Sequence, residues 1–99
     1  MTKAEALARL RSREADLRER GIERVSLFGS TARGEQRPDS DIDIAIELQR
    51  DVRMGVFAFL ALERDVADML ASAVDLVIEP HGKAPRLQAE IDRDRVHVF

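Results

Sequence analysis

The chain has 99 residues, of which 44% are hydrophobic and 35% charged, and its formal net charge is -3. This composition is typical of a folded domain and excludes a disordered chain. The 16 basic and 19 acidic residues create no general electrostatic attraction for nucleic acid. We therefore expect a single domain over residues 1–99 with no direct nucleic-acid partner. A domain of this size buries a modest core, so a large substrate pocket would be shared with a partner.

The residue content also excludes several kinds of site and location. The chain contains no cysteine, which excludes disulfides, thiolate metal ligands and a cysteine nucleophile. The N-terminus is polar, and no apolar stretch approaches the length of a membrane span. We therefore expect neither a signal peptide nor a membrane span, and we predict a cytoplasmic location.

The first predicted element is a helix over residues 3–20. Thr2 and Glu5 have the spacing of a capping box, leucines recur at helical intervals, and Gly21 supplies the stop. Several acidic residues are followed four positions later by a basic residue, which is typical of a solvent-exposed helix face. The basic residues of this helix therefore need no ligand.

Two strands are predicted next. Residues 23–28 are partly β-branched and end at a glycine, which indicates a first strand, with a short helix beginning at Ser30. Residues 41–48 alternate between apolar and polar side chains, which is the clearest strand pattern in the chain. Its isoleucines belong on the core, so Asp41 and Asp43 point away from it.

The longest predicted helix covers residues 52–72. Its core-facing stripe is predicted to contain Val52, Val56, Phe59, Val66, Met69, Leu70 and Ala73. Phe57, Leu60 and Ala61 widen this stripe beyond what a small sheet needs. Either the helix is buried on most sides, which we favour, or part of its surface meets another protein.

The remaining elements complete the fold prediction. Residues 74–78 form a third strand that carries Asp75, residues 80–83 a loop, and residues 85–94 a last helix before the tail 96–99. Together the elements predict an α/β (α+β) domain: a short mixed three-stranded sheet flanked by about four helices.

The candidate site has six residues, of which five are expected to converge at one edge of the sheet and the sixth, Arg33, follows one turn later. Positions i and i+2 of a strand share a face with Cα atoms about 7 Å apart, so the carboxylates of Asp41 and Asp43 can converge on a magnesium ion. Asp75 adds a third carboxylate if the second and third strands are parallel neighbours with level starts. If the first strand runs antiparallel beside the second, Gly29 and Ser30 reach the same edge. Glycine allows the backbone to approach a phosphate, and the serine adds a hydroxyl donor and helix amides.

Two arginines follow this turn. Arg33 could neutralise charge on a triphosphate, with Arg37 as a weaker candidate. The alternative for both is surface pairing with Glu35 or Asp39. For Arg33 the two interpretations stay open, whereas for Arg37 the pairing is favoured.

Other site motifs fail on their own requirements. Ser30 lies outside a G-x-S-x-G elbow and has no nearby base, which excludes a nucleophilic serine. A calcium loop needs glycine and glutamate where this chain has Ile44 and Arg50. A P-loop needs lysine after its second glycine, which is absent here. His81 and His97 lack a second ligand at metal spacing, so we interpret them as a loop residue and a C-terminal strand or coil residue.

The assembled pattern resembles a known family. Gly29-Ser30, ten intervening residues, Asp41-x-Asp43 and the later Val74-Asp75-Leu76-Val77 resemble the signature of the DNA polymerase β-like nucleotidyltransferase superfamily. The fuller run from Phe28 to Ile44 is similar to the minimal nucleotidyltransferases (MNT) that act as antitoxins beside HEPN-domain ribonuclease toxins. The likeness spans almost the whole chain.

The resemblance implies a magnesium-dependent protein adenylyltransferase with ATP as co-substrate and two Mg²⁺ ions. By position, Gly29 and Ser30 would hold the phosphates, Asp41 and Asp43 the metals, and Asp75 one metal and the proton of the acceptor. The implied acceptor is a hydroxyl, usually a tyrosine of the toxin. These 99 residues contain no tyrosine, so such an acceptor would lie on another molecule.

We therefore predict an antitoxin that transfers AMP to its HEPN toxin and forms a hetero-oligomer with it. An alternative antitoxin would mask the toxin by contact alone. A stand-alone transferase for a small molecule is a third hypothesis, which the absence of a second domain disfavours.

Overall fold

The computed structural model describes residues 1–80 and 82–99, so the predicted loop residue His81 lies outside the described residues. Its elements in chain order are α1 (Lys3–Arg11), α2 (Glu14–Glu19), β1 (Ile22–Phe28), α3 (Gly29–Ala32), β2 (Ile42–Leu48), α4 (Val56–Leu70), β3 (Val74–Glu79), α5 (Pro85–Asp94) and β4 (Val96–His97). The α/β fold class is confirmed. Within the described ranges, no helix is long and apolar enough to cross a membrane.

The strand order in the sheet is β3-β2-β1-β4. β1 and β2 are antiparallel, and β2 and β3 are parallel, with Asp43 in register with Asp75. The crossover between the two parallel strands contains α4, which is long enough for this connection. The strand arrangement on which the candidate site depends is therefore confirmed.

The prediction of three strands is wrong, because the tail supplies a fourth. Val96 and His97 pair antiparallel with Leu27 and Ser26 of β1. The Arg11 side chain fastens this tail by donating from Nε to the Val98 carbonyl at 2.9 Å. A strand of two residues is too short for alternation to reveal it, and tertiary contacts decide its conformation.

The helix predicted over residues 3–20 is divided into α1 and α2. The capping box of Thr2 and Glu5 is present as predicted. After α1, the Ser12 hydroxyl donates to the Arg9 carbonyl at 2.6 Å, a local bond that competes with helix continuation. The break redirects the chain so that Leu17 of α2 reaches the core.

The predicted start and stripe of the long helix also need correction. α4 begins at Val56 rather than at residue 52, and Val56 is 72% exposed. Its buried residues are Leu62, Val66 and Leu70, which recur at i, i+4. Phe57 and Leu60 are 89% and 51% exposed, so the favoured interpretation of a helix buried on most sides is wrong. The stripe is narrow because it packs on one face of a small sheet.

The sheet separates two apolar clusters. The larger cluster contains the isoleucines of β2 together with side chains from α1, α2 and α4. The smaller lies on the opposite face and consists of Phe28, Ala45 and Ile91, with Val77 and Leu87 packed against it. Because Ile91 and Leu87 belong to α5, this helix covers the face towards which Asp43 and Asp75 are directed.

Candidate active site

The candidate site lies where three strand ends meet. Asp43 is in register with Asp75 on the parallel strand and with Phe28 on the antiparallel strand, immediately before Gly29. Adjacent strands are separated by about 4.8 Å, so both carboxylates and the turn after β1 occupy one edge of the sheet. This arrangement brings together carboxylates, which can bind a metal ion, and a glycine turn, which can approach a phosphate group.

Gly29 meets two structural requirements at this edge. Its φ of +68° lies in the left-handed region, which favours glycine. A Cβ atom there would overlap the Asp43 Oδ2 atom and lie 3.1 Å from Asp43 Cγ. The absence of a side chain therefore lets the turn pass directly beside the carboxylate.

The neighbouring predicted residues occupy the same region. α3 begins at Gly29, one residue earlier than predicted, and half-buried Ser30 is its second residue. Exposed Asp41 precedes β2 directly. The Ile42 amide donates to the Ala73 carbonyl at 3.0 Å, which fixes the start of β2 beside the start of β3.

Asp43 is the site carboxylate with a raised pKa. Burial raises the pKa of Asp43 to about 6, and the charges of Asp75, Glu90 and Asp41 contribute to the increase. The Arg33 charge acts in the opposite direction. Four carboxylates and one guanidinium therefore act on the same edge, where added positive charge would relieve repulsion.

The donor chemistry of Asp41, Asp43 and Asp75 fits magnesium. Mg²⁺ prefers oxygen ligands and is commonly held by one or two carboxylates together with substrate phosphates and water. In the part of the chain that the structure describes, no three acidic or histidine side chains form a metal-binding group by themselves.

Arg33 combines features of both interpretations. Its Nε atom donates to Glu35 Oε2 at 3.1 Å, which is the expected surface pair, and its NH1 atom donates to Asp94 Oδ2 at 2.6 Å. Its charge also acts on Asp43. For Arg37, the predicted pairing with Glu35 or Asp39 is not found among the described residues.

α5 also contributes charged residues to this edge, which the sequence patterns did not predict. Glu90 acts on Asp43 through its charge, and Asp94 bonds Arg33. These two residues have i, i+4 spacing and so share a helix face, which is the signal available in the sequence. Nothing in that spacing indicates which sheet face the helix covers, so the contribution depends on tertiary packing.

The chain is similar to known nucleotidyltransferases in sequence and in fold. Residues 7–97 match a family model described as a nucleotidyltransferase domain. The protein adenylyltransferase MntA of Thermococcus cleftensis is 34% identical over 76 residues, which cover 76% of this chain and 75% of that protein. A solved structure that bears the name minimal nucleotidyltransferase aligns with a TM-score of 0.78 and 31% identity, covering 97% of this chain and 95% of that one.

A more distant similarity concerns the fold alone. A chain in a complex of tri-AMPylated HEPN toxin with MNT antitoxin from Shewanella oneidensis aligns with a TM-score of 0.64. Its identity is 23%, and the alignment covers 90% of this chain and 68% of that one. The fold is therefore shared with a protein of low sequence identity.

Proposed function

The chain belongs to the nucleotidyltransferase domain family, and on that premise we propose that it transfers AMP from ATP to a hydroxyl group of a HEPN-domain toxin and so neutralises it. The observation that carries the proposal is the register of Asp43 with Asp75 beside the Gly29 turn. The name of the MntA relative supports a protein as acceptor. The AMP groups on the toxin of the Shewanella complex support a toxin in that role.

The acceptor is proposed to be a tyrosine of the toxin. The family resemblance supports this choice, and no tyrosine occurs in these 99 residues. Antitoxin and toxin would form a hetero-oligomer in the cytoplasm. Asp41 and Asp75 are both exposed, which supports transfer to a separate molecule.

In the proposed reaction, the turn at Gly29 and Ser30 binds phosphate oxygens through backbone amides and the serine hydroxyl. Arg33 offsets their negative charge. Asp75 accepts the proton of the toxin hydroxyl, whose oxygen forms a bond to the α-phosphorus of ATP. The bond from that phosphorus to the bridging oxygen breaks, and pyrophosphate leaves.

Asp41, Asp43 and Asp75 would hold two Mg²⁺ ions together with phosphate oxygens. The ions supply positive charge that stabilises the phosphate oxygens during transfer. The register of Asp43 with Asp75 beside the Gly29 turn, and the position of Asp41 directly before β2, support this assignment. Burial raises the pKa of Asp43, and the charges of Asp75, Glu90 and Asp41 raise it further, so bound cations would relieve this repulsion.

In the direct test, the protein is incubated with labelled ATP, Mg²⁺ and its cognate toxin. We expect label on the toxin, and we expect Asp43→Ala to reduce the labelling rate by at least about 100-fold, as for loss of a group that stabilises transition-state charge. Asp39→Ala, an exposed aspartate just outside the site, is the matched control and should label normally. Absence of label with a verified cognate toxin would overturn the enzymatic proposal, as would normal labelling by Asp43→Ala.

A second candidate function, masking of the toxin by contact alone, is favoured by one observation. The first two turns of α4 expose Val56, Phe57 and Leu60, which form an apolar patch on the surface. A masking antitoxin would neutralise the toxin even when Asp41 and Asp43 are both replaced by alanine. Loss of neutralisation by that folded double variant, with toxin binding retained, would exclude masking as sufficient.

A further inference from the structure

Arg33 is linked to a helix far along the chain. It directly follows α3, and its side chain reaches Asp94 at the last position of α5, with 2.6 Å between NH1 and Oδ2. A second bond joins its Nε to Glu35 Oε2 at 3.1 Å. The guanidinium is therefore held from two sides, by a neighbour in the chain and by a helix that is distant in sequence.

Asp94 is the more strongly fixed of these two acceptors. Its side chain is 5% exposed, whereas that of Glu35 is 66% exposed. Asp94 also accepts from Arg93 Nε and NH2 at 3.0 and 3.1 Å. Both arginines lower the pKa of Asp94, so the carboxylate stays ionised at neutral pH and can hold Arg33.

These bonds leave Arg33 able to bind a phosphate. A guanidinium has five N–H donors, and the bonds to Glu35 and Asp94 use two of them. The remaining N–H groups can contact a phosphate oxygen without loss of the bond to Asp94. Arg33 directly follows α3, whose first residue, Gly29, lies against the Asp43 carboxylate, so the guanidinium belongs to the same end of the sheet as the site. Its charge acts to lower the pKa of Asp43.

We propose that Asp94 is a positioning residue, which holds the Arg33 guanidinium beside the Asp43 edge for contact with the triphosphate of ATP. This inference rests on the proposed function and names the group that prepares its nucleotide site. An unrestrained arginine loses rotamer entropy when it is immobilised. Because Asp94 restrains Arg33 before ATP binds, part of that cost is removed from the binding step.

The test measures the affinity of the full chain for AMP-PNP, a non-hydrolysable ATP analogue, by calorimetry in Mg²⁺. Asp94→Asn is expected to weaken binding by about 3- to 10-fold, which corresponds to the ordering cost of one side chain. In an Arg33→Ala background, the same substitution should change the affinity by less than about twofold, because Asp94 acts through Arg33. Asp94→Glu keeps the charge and should restore most of the affinity.

Asp92→Asn is the matched control, since Asp92 lies on the same helix and pairs with Arg95 instead. Its affinity should remain within about twofold of the wild-type value. Asp94→Asn binding as tightly as wild type, or more tightly, would overturn the inference and leave the proposed function intact. If Asp94→Asn weakened AMP-PNP binding equally in the Arg33→Ala background, the inference would also be overturned and the proposed function would remain intact. No binding by the wild type would overturn both the proposed function and the inference.

A measurement on the wild type avoids dependence on a folded variant. The Nε–H group of Arg33 should have an NMR order parameter near the value of about 0.85 found for rigid backbone, and that of exposed Arg37 below about 0.6. A mobile Arg33 side chain in the nucleotide-free protein would overturn the inference.

Discussion

At the scale of the residue, Asp43 illustrates a conflict between stability and the proposed function. Its neighbours include Asp75 across the parallel strands and the Gly29 turn across the antiparallel pair. Burial and the surrounding carboxylates disfavour its ionised form and raise its pKa to about 6. A carboxylate in this setting is suited to hold a cation, and it destabilises the fold when no cation is bound.

This conflict predicts that Asp43→Asn stabilises the metal-free protein. The pKa of Asp43 rises from 3.8 in the reference state to about 6, so its contribution favours folding below 3.8 and is lost as the pH rises through about 6. In EDTA at about pH 8, Asp43→Asn should raise the free energy of unfolding by about 1 kcal/mol, after allowance for solvent screening. At about pH 4 the two proteins should differ little, because Asp43 is then protonated.

Thermal unfolding followed by circular dichroism would measure this effect. At about pH 8 the Tm of Asp43→Asn is expected to lie about 5 °C above that of the wild type. Asp39→Asn serves as the control, because Asp39 is exposed and outside the strands. A lower Tm for Asp43→Asn at both pH values would contradict the prediction.

At the scale of the element, α5 connects the site to the rest of the fold. Its apolar residues pack on Phe28 and Ala45, and Asp94 at its end bonds Arg33. The following residue, Arg95, donates from NH1 to Glu79 Oε2 at 2.8 Å and to Ser26 Oγ at 3.0 Å. Because Glu79 is 7% exposed, this ion pair fixes the end of α5 over the sheet face of the site.

Glu79→Gln is therefore expected to destabilise the protein by about 2 kcal/mol at neutral pH, as for the loss of a charge-assisted hydrogen bond. The Arg95 hydrogen bond lowers the pKa of Glu79 below 4.5. Its stabilisation is therefore present above about 4.5 and is lost as the pH falls through the lower folded value. The difference between wild type and Glu79→Gln should shrink accordingly in urea unfolding at decreasing pH.

The control is Asp65→Asn, which removes an exposed pair with Arg20. Its expected cost is below about 1 kcal/mol. A cost for Glu79→Gln no larger than that of the control, or one independent of pH down to about pH 3, would show that the Arg95 pair contributes little.

At the scale of the whole molecule, the surface has two distinct regions. The sheet edge carries the acidic residues of the candidate site, and the first turns of α4 carry the apolar patch of Val56, Phe57 and Leu60. α4 packs on the sheet face opposite the one that α5 covers. A partner could therefore contact the patch without covering the site.

If the patch contributes to toxin binding, Phe57→Ser combined with Leu60→Ser should weaken association with the cognate toxin by at least about 30-fold, since large apolar anchors dominate interface energies. Tm and AMP-PNP affinity should change little, because both side chains are exposed in the free protein. Ala58→Ser, an exposed position between them, is the matched control. Surface plasmon resonance would measure the affinity, and unchanged toxin binding by the double variant would exclude the patch from the interface.

Local patterns in the sequence determined the main elements and most of the candidate site. The alternation in residues 42–48 places Asp43 opposite the isoleucines, because successive side chains of a strand point to opposite faces. The crossover length between β2 and β3 favours parallel pairing, which the register of Asp43 with Asp75 confirms. Position 29 requires glycine because the turn passes so close to Asp43 that a Cβ atom would overlap its carboxylate.

The remaining features depend on contacts between residues far apart in the chain, so they become visible only in the folded protein. The pairing of Val96 with Leu27 makes the tail a fourth strand, although two residues carry no periodicity. The narrow contact between α4 and the sheet leaves Phe57 exposed, although its helix is apolar on several sides. The bond between Arg33 and Asp94 joins positions 61 residues apart. Helix periodicity defines which residues share a face, whereas packing decides what that face meets.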